Sequence, residues 1–141
     1  MAQGFTGCGA SITFATNNFT GKYREIGELA QDREVVDSTT LDVTTHNFAK
    51  NIQGDNPSPG QVRCRIRWQG TQAPPVFAIP ETITITFPKE TAASNNAANV
   101  AGTGYIVHRR LLPNLQRNQL NEGEFTIQFD GGTGPALTLE S

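Results

Sequence analysis

Arg63, Arg65 and Arg67 stand in the stretch "QVRCRIRWQ" (residues 61–69), each separated from the next by an apolar residue of the set Val62, Cys64, Ile66 and Trp68. A guanidinium makes charge-assisted, often bidentate hydrogen bonds to carboxylate or phosphate, so three of them at period two could recognise either. Successive side chains of a β-strand point to opposite faces, whereas a helix would scatter both sets. The stretch therefore reads as a strand that sends its four apolar residues into a core. Its three arginines then lie about 7 Å apart along the other face. The plainest reading of such a stripe is a solvated outer face.

Other residues with chemical potential form no constellation. His46 sits in the polar segment "DVTTHNF" and His108 precedes Arg109 and Arg110 on an extended segment; neither has a metal-ligand spacing. No GxSxG elbow accompanies the serines. The nearest approach to a phosphate loop, "GCGAS", lacks the Walker lysine and leads into a strand instead of a helix. Glu25, Glu28, Asp32, Glu34 and Asp37 cluster, as carboxylates on a solvated face usually do. An enzyme, a metal site and a bound cofactor are all disfavoured.

The elements that must carry the arginines follow from length and periodicity. The 141 residues suit a single domain, 1–141, able to bury a core without metals or disulfides. A formal charge of −2 gives no global basic excess for nucleic acid. The two cysteines, Cys8 and Cys64, are expected to be reduced. The start "MAQGFTGCGASITF" has neither the basic residues nor the apolar run of a secretory signal, and no long apolar stretch suggests a membrane span. Synthesis in the cytoplasm is expected, where the sequon at Asn18 has no meaning.

Strand-period alternation recurs at Ile12/Phe14, Val62 to Trp68, Ile83/Ile85/Phe87, Phe125/Ile127/Phe129 and Leu137/Leu139, each bounded by Gly, Pro or Asn. Residues 22–29, 34–41 and 104–112 also look extended. "KETAASNNAANVAG" is alanine-bearing but rich in asparagine and reads as a loop or hairpin tip with room for a helical turn. The expectation is an all-β domain with at most one short helix, its antiparallel sheets forming a sandwich or barrel, and with long loops at 43–59 and 89–102.

Several stretches together resemble the tail tube proteins of long-tailed bacteriophages, the major tail protein family related to type VI secretion tube proteins. "GASITFATNNFTGKYREIG" is similar to the family's opening strand, turn and second strand. "REVVDSTTLDVTTHNFAKNIQGDNPSPGQVRCRIRW" is similar to its acid-and-threonine strand end, long loop closing in Pro-Gly, and following strand. "PPVFAIPETITITFP" and "LNEGEFTIQF" resemble a Pro-Glu entry to a threonine-alternating strand and a polar turn into the last long strand. Many relatives carry a helix after the strand equivalent to 63–68; here that link is "QGTQAPPVFAI", whose prolines disfavour one.

The resemblance implies a homo-oligomer: hexameric rings that stack into the hollow tail tube of a virion, beside other tail proteins, with phage DNA passing through without specific binding. It gives the arginine stripe a place, because in such a ring one sheet face meets the subunit core and the other lines the lumen. Arg63, Arg65 and Arg67 would face the channel, together with Glu124, Gln128 and Asp130 from the polar parity of "GEFTIQFD". A purely cationic lining would hold the phosphate backbone, so Glu28, Asp37, Glu124 and Asp130 are expected to offset the arginines. Phe48 and Ile52, the apolar residues of the 43–59 loop, are the expected anchors between rings. The competing readings are a nucleic-acid-binding β-barrel and a related ring protein, such as a tail terminator or a secretion-system tube subunit.

Overall fold

The computed structural model describes residues 9–38, 51–54, 56–75, 79–112 and 115–141. His46, Phe48 and Cys8 lie outside them. The described residues form nine strands: β1 (Ser11–Phe14), β2 (Tyr23–Ile26), β3 (Val35–Asp37), β4 (Asn51–Gln53), β5 (Gln61–Arg67), β6 (Glu81–Thr86), β7 (Asn99–Arg109), β8 (Glu122–Phe129) and β9 (Ala136–Thr138). No helix occurs among the described residues. Every pairing is antiparallel.

Seven strands make one sheet in the order β1-β6-β7-β8-β5-β2, with β9 added to β7; β3 and β4 make a separate two-stranded sheet. The long β7 holds the larger sheet together. It pairs with β6 along one side, while the other side is shared by β9 at residues 99–101 and β8 from Gly104 onward.

Alternation decides which face is buried. Along β5 the pattern is strictly exposed-buried, and Val62, Cys64 and Ile66 join Ile12 and Phe14 of β1, Ile83 and Ile85 of β6, Ile106 of β7, and Phe125, Ile127 and Phe129 of β8 in one cluster. The cluster spans the sheet from β1 to β5, and Tyr23 and Ile26 of the edge strand β2 pack against it partly buried. Phe19, in the β1–β2 link, fills the space between: its ring meets Phe14 edge-on at 6.0 Å and Phe125 at 5.8 Å. Full burial of a residue of this kind contributes about 1.5–3 kcal/mol. The smaller sheet contributes no residue to the core.

Three expectations are revised. Trp68 is not a core residue: β5 ends at Arg67, the Trp68 amide donates to Asn121 O, and the side chain is 37% exposed. The 43–59 segment contains β4, and the last four residues of the 89–102 segment are the first four of β7, with Ala92 and Ala93 in a turn and Ala101 in the strand. Leu137 and Leu139 keep the strand period, but both are exposed beside the short β9.

Gly60 shows how tightly the start of β5 is held. It has φ +87°, and a Cβ there would come within 2.7 Å of both Ala30 O and Leu29 Cδ1. Only glycine takes that conformation in that space without strain. Its carbonyl accepts from the Phe129 amide and from Gln128 Nε2, which sets the register in which β5 meets β8.

Candidate functional site: a laddered charged face

The outer face of the large sheet divides in two. Across β1, β6 and the start of β7 it carries Ser11, Thr13, Thr82, Thr84, Thr86 and Thr103, which are uncharged. Across β2, β5, β8 and the end of β7 it carries arginines and glutamates.

In the β5–β8 register Arg63 lies opposite Thr126, Arg65 opposite Glu124, and Arg67 opposite Glu122. The ion pairs do not follow these direct opposites. Arg63 Nε reaches Glu124 Oε1 at 3.3 Å, and Arg65 Nη2 reaches Glu122 Oε2 at 3.2 Å. Both are diagonal, which long side chains span readily on a twisted sheet. One offset therefore accounts for both, and it also accounts for Arg67: the same diagonal from Arg67 leads to Leu120. Arg67 makes no ion pair among the described residues.

The neighbouring strands complete the network. Glu25 of β2 is opposite Arg65 and binds its Nη1 at 3.0 Å. Arg24 Nε binds Glu122 Oε1 at 2.8 Å. Beyond β8, Arg110 Nη2 binds the second oxygen of Glu124 at 3.1 Å. Glu122 and Glu124 thus each hold two guanidiniums, and Glu124, with its side chain 19% exposed, is the most enclosed member. Thr126 lies between Arg63 and His108 in register and is buried. Four arginines meet three glutamates in ion pairs, and Arg67 adds a fifth guanidinium to the same face, so the patch keeps a small cationic excess.

Of the acids expected to offset the stripe, Glu124 does so. Asp130 lies one residue past β8, where its Oδ1 accepts from the Gly132 amide and closes a turn. Gln128 Nε2 is committed to the carbonyls of Gly60 and Phe129. Glu28 makes no ion pair among the described residues, and Asp37 belongs to β3. Ile52 is 55% exposed on β4.

Sequence reasoning missed Arg24, Glu25, Glu122 and Arg110 as ladder members. Glu122 had a readable signal, since it shares the parity of Glu124 and Gln128. Arg110 had none: a bulge between Ile106 and His108 breaks the parity of β7 before that strand ends.

Two buried titratable groups lie on the opposite face. Burial pushes the Cys64 thiol up to about 12, and Tyr23 is raised by burial and then by its neighbour Cys64. A thiol so placed is neutral and unreactive. Among the described residues no group of His, Cys, Asp or Glu could hold a metal ion, and no helix is long and apolar enough to cross a membrane. The arrangement is a surface for charge matching.

No protein-family model matches the sequence, and no curated protein matches it. Among solved structures, the chain is similar to the sheath/tube terminator of an extracellular contractile injection system, PVC, in the extended state. The TM-score is 0.67 at 10% identity, over 96% of both chains. It is also similar to Hcp1 from Flavobacterium johnsoniae, with a TM-score of 0.42 at 12% identity, over 92% of this chain and 97% of that one. The likeness to the terminator is one of fold and extends over nearly the whole of each chain.

Proposed function

We propose that this chain is a structural, self-assembling subunit of a tail tube, in which copies close into hexameric rings and the rings stack into a hollow conduit. The observation that carries this reading is the ladder itself. A sheet face that holds four of its five guanidiniums in pairs shared with three carboxylates offers a polyanion a weaker field than a bare arginine stripe would. That suits the wall of a passage through which phage DNA moves without being held. In this role Arg63, Arg65, Arg67 and Glu124 line the lumen, joined by Arg24, Glu25, Glu122 and Arg110. Gln128 and Asp130 lie farther along the same parity. Phe48 and Ile52 belong to contacts between rings. The tube is part of a virion tail, made in the host cytoplasm and bounded by other tail proteins.

A second reading, a terminator ring that ends a tube, is favoured by the fold likeness to a sheath/tube terminator. A nucleic-acid-binding barrel is less well supported. The carboxylates occupy the guanidiniums that would track a backbone, and Tyr105 is the one aromatic residue of β7 on the polar parity. Mass by size exclusion together with electron micrographs of the purified protein separates the three. Stacked tubes support the leading reading, single rings that do not stack support the terminator, and a monomer at every concentration and in the presence of tail initiators contradicts both.

A further inference from the structure

Next to the ladder, Trp68 and the loop of residues 69–74 enclose a cleft of about 250 Å³. Its floor is Ile66 and Gly123, directly opposed in the β5–β8 register. A Cβ at position 123 would come within 3.2 Å of Ile66 Cγ1, so the glycine keeps this floor low. Trp68 forms one wall with its half-exposed ring. Arg109 forms another and fixes the loop by donating from Nη1 to Pro74 O at 2.8 Å. Arg110 stands at the rim, paired with Glu124. The cleft is thus apolar at its base and carries two arginines and one glutamate at its edge, a net positive rim.

The β3–β4 ribbon has the complementary character. Val36 and Ile52 are cross-strand partners and are 41% and 55% exposed, and Val35 is 66% exposed. Among the described residues the ribbon makes no substantial contact with the large sheet, so the sheet does not cover this apolar pair. Asp32 and Glu34 precede the valines, beside one arginine, Arg33, whose Nη1 donates to Gln53. Of the other exposed aliphatic segments, the one around Leu115 and Leu120 carries Arg117 and would bring a like charge to Arg109 and Arg110, and the acid beside Leu137 and Leu139, Glu140, already accepts from the Glu90 and Thr91 amides. Exposed apolar surface rimmed by charge marks an interaction site, and opposite potentials fix which surfaces meet.

We propose that the β3–β4 ribbon of one copy docks in the Trp68 cleft of another, with Val36 and Ile52 over Ile66 and Gly123 and the ribbon acids against Arg109 and Arg110. The contact is heterologous, joining two different surfaces, and such contacts propagate into rings or filaments. It deepens the self-assembly reading and rests on it.

The test mixes two chains, each with Cys8→Ser, one carrying Ile52→Cys and the other Ala73→Cys, under mild oxidation. The same samples are imaged by electron microscopy. A disulfide-linked heterodimer is expected, in samples that form rings or tubes, and adding Asp32→Lys and Glu34→Lys to the ribbon chain should cut its yield severalfold. In cysteine-free-surface protein, the emission of Trp68, the single tryptophan of the chain, should shift to the blue on assembly. Rings or tubes without the heterodimer, with Trp68 equally open to a quencher in free and assembled protein, would overturn the docking and leave the assembly reading standing. A heterodimer in samples that never form rings or tubes would uphold the docking and overturn the tube. Neither linkage nor assembly would overturn both.

Discussion

Glu124 is where one substitution tests the ladder. Glu124→Gln removes the carboxylate shared by Arg63 and Arg110 and leaves two guanidiniums beside each other. Because an exposed pair is worth about 0–1 kcal/mol, the subunit should lose less than about 2 kcal/mol in urea unfolding, and the loss should shrink in high salt as screening grows. Arg67→Gln should change stability by no more than about 0.5 kcal/mol, as expected of a surface residue that makes no ion pair among the described residues. The buried face behaves otherwise: Phe125→Ala should cost about 3–5 kcal/mol, and Trp68→Ala clearly less, because that ring is half exposed. Cys64 adds a pH dependence. Its folded pKa is raised from 9.0 to about 12, so the fold favours the neutral thiol. The stabilisation is complete below pH 9 and declines as pH rises toward 12. Cys64→Ala should flatten the fall in urea midpoint that begins near pH 9, whatever constant offset the lost volume brings. At this scale the sequence was most informative, since strict alternation in residues 61–67 fixed which residues are buried and which are charged. Trp68 was misread because periodicity does not say where a strand stops.

Of the two sheets, the β3–β4 ribbon is the one not committed to the core. Changing Phe48 and Ile52 to Ser should leave the free subunit folded, with a stability change within about 0.5 kcal/mol, and should prevent stacking in electron micrographs; normal tubes from this variant would contradict the role given to the loop. Amides of β3 and β4 should also exchange with solvent far faster than those of β5 and β8, because few buried contacts oppose their opening. The large sheet was legible where apolar residues alternate, in β1, β5, β6 and β8. Its longest strand was only half legible: Ala101, Gly102, Thr103 and Gly104 have no apolar period to display, and β7 there is defined by its neighbours β6 and β9. Pairing of β3 with β4 joins segments separated by a long link, and three-residue strands carry too little pattern to announce themselves. The ladder's diagonal offset depends on register, which no single strand reveals.

For the whole molecule, symmetry turns small terms into large ones. Replacing Arg63, Arg65 and Arg67 together with Glu would convert the pairs with Glu25, Glu122 and Glu124 into repulsions, repeated in every subunit of a ring. Rings of this variant should fail to close at low salt and recover in part as salt is added, as followed by size exclusion. The central claim is that the laddered face looks into a closed passage, and a reconstruction of the assembled particle by electron cryomicroscopy tests it most directly. The account predicts six-fold rings in which β5 and β8 turn Arg63, Arg65, Glu122 and Glu124 toward the axis. Rings with this face on the outer surface, or particles with no central channel, would contradict it.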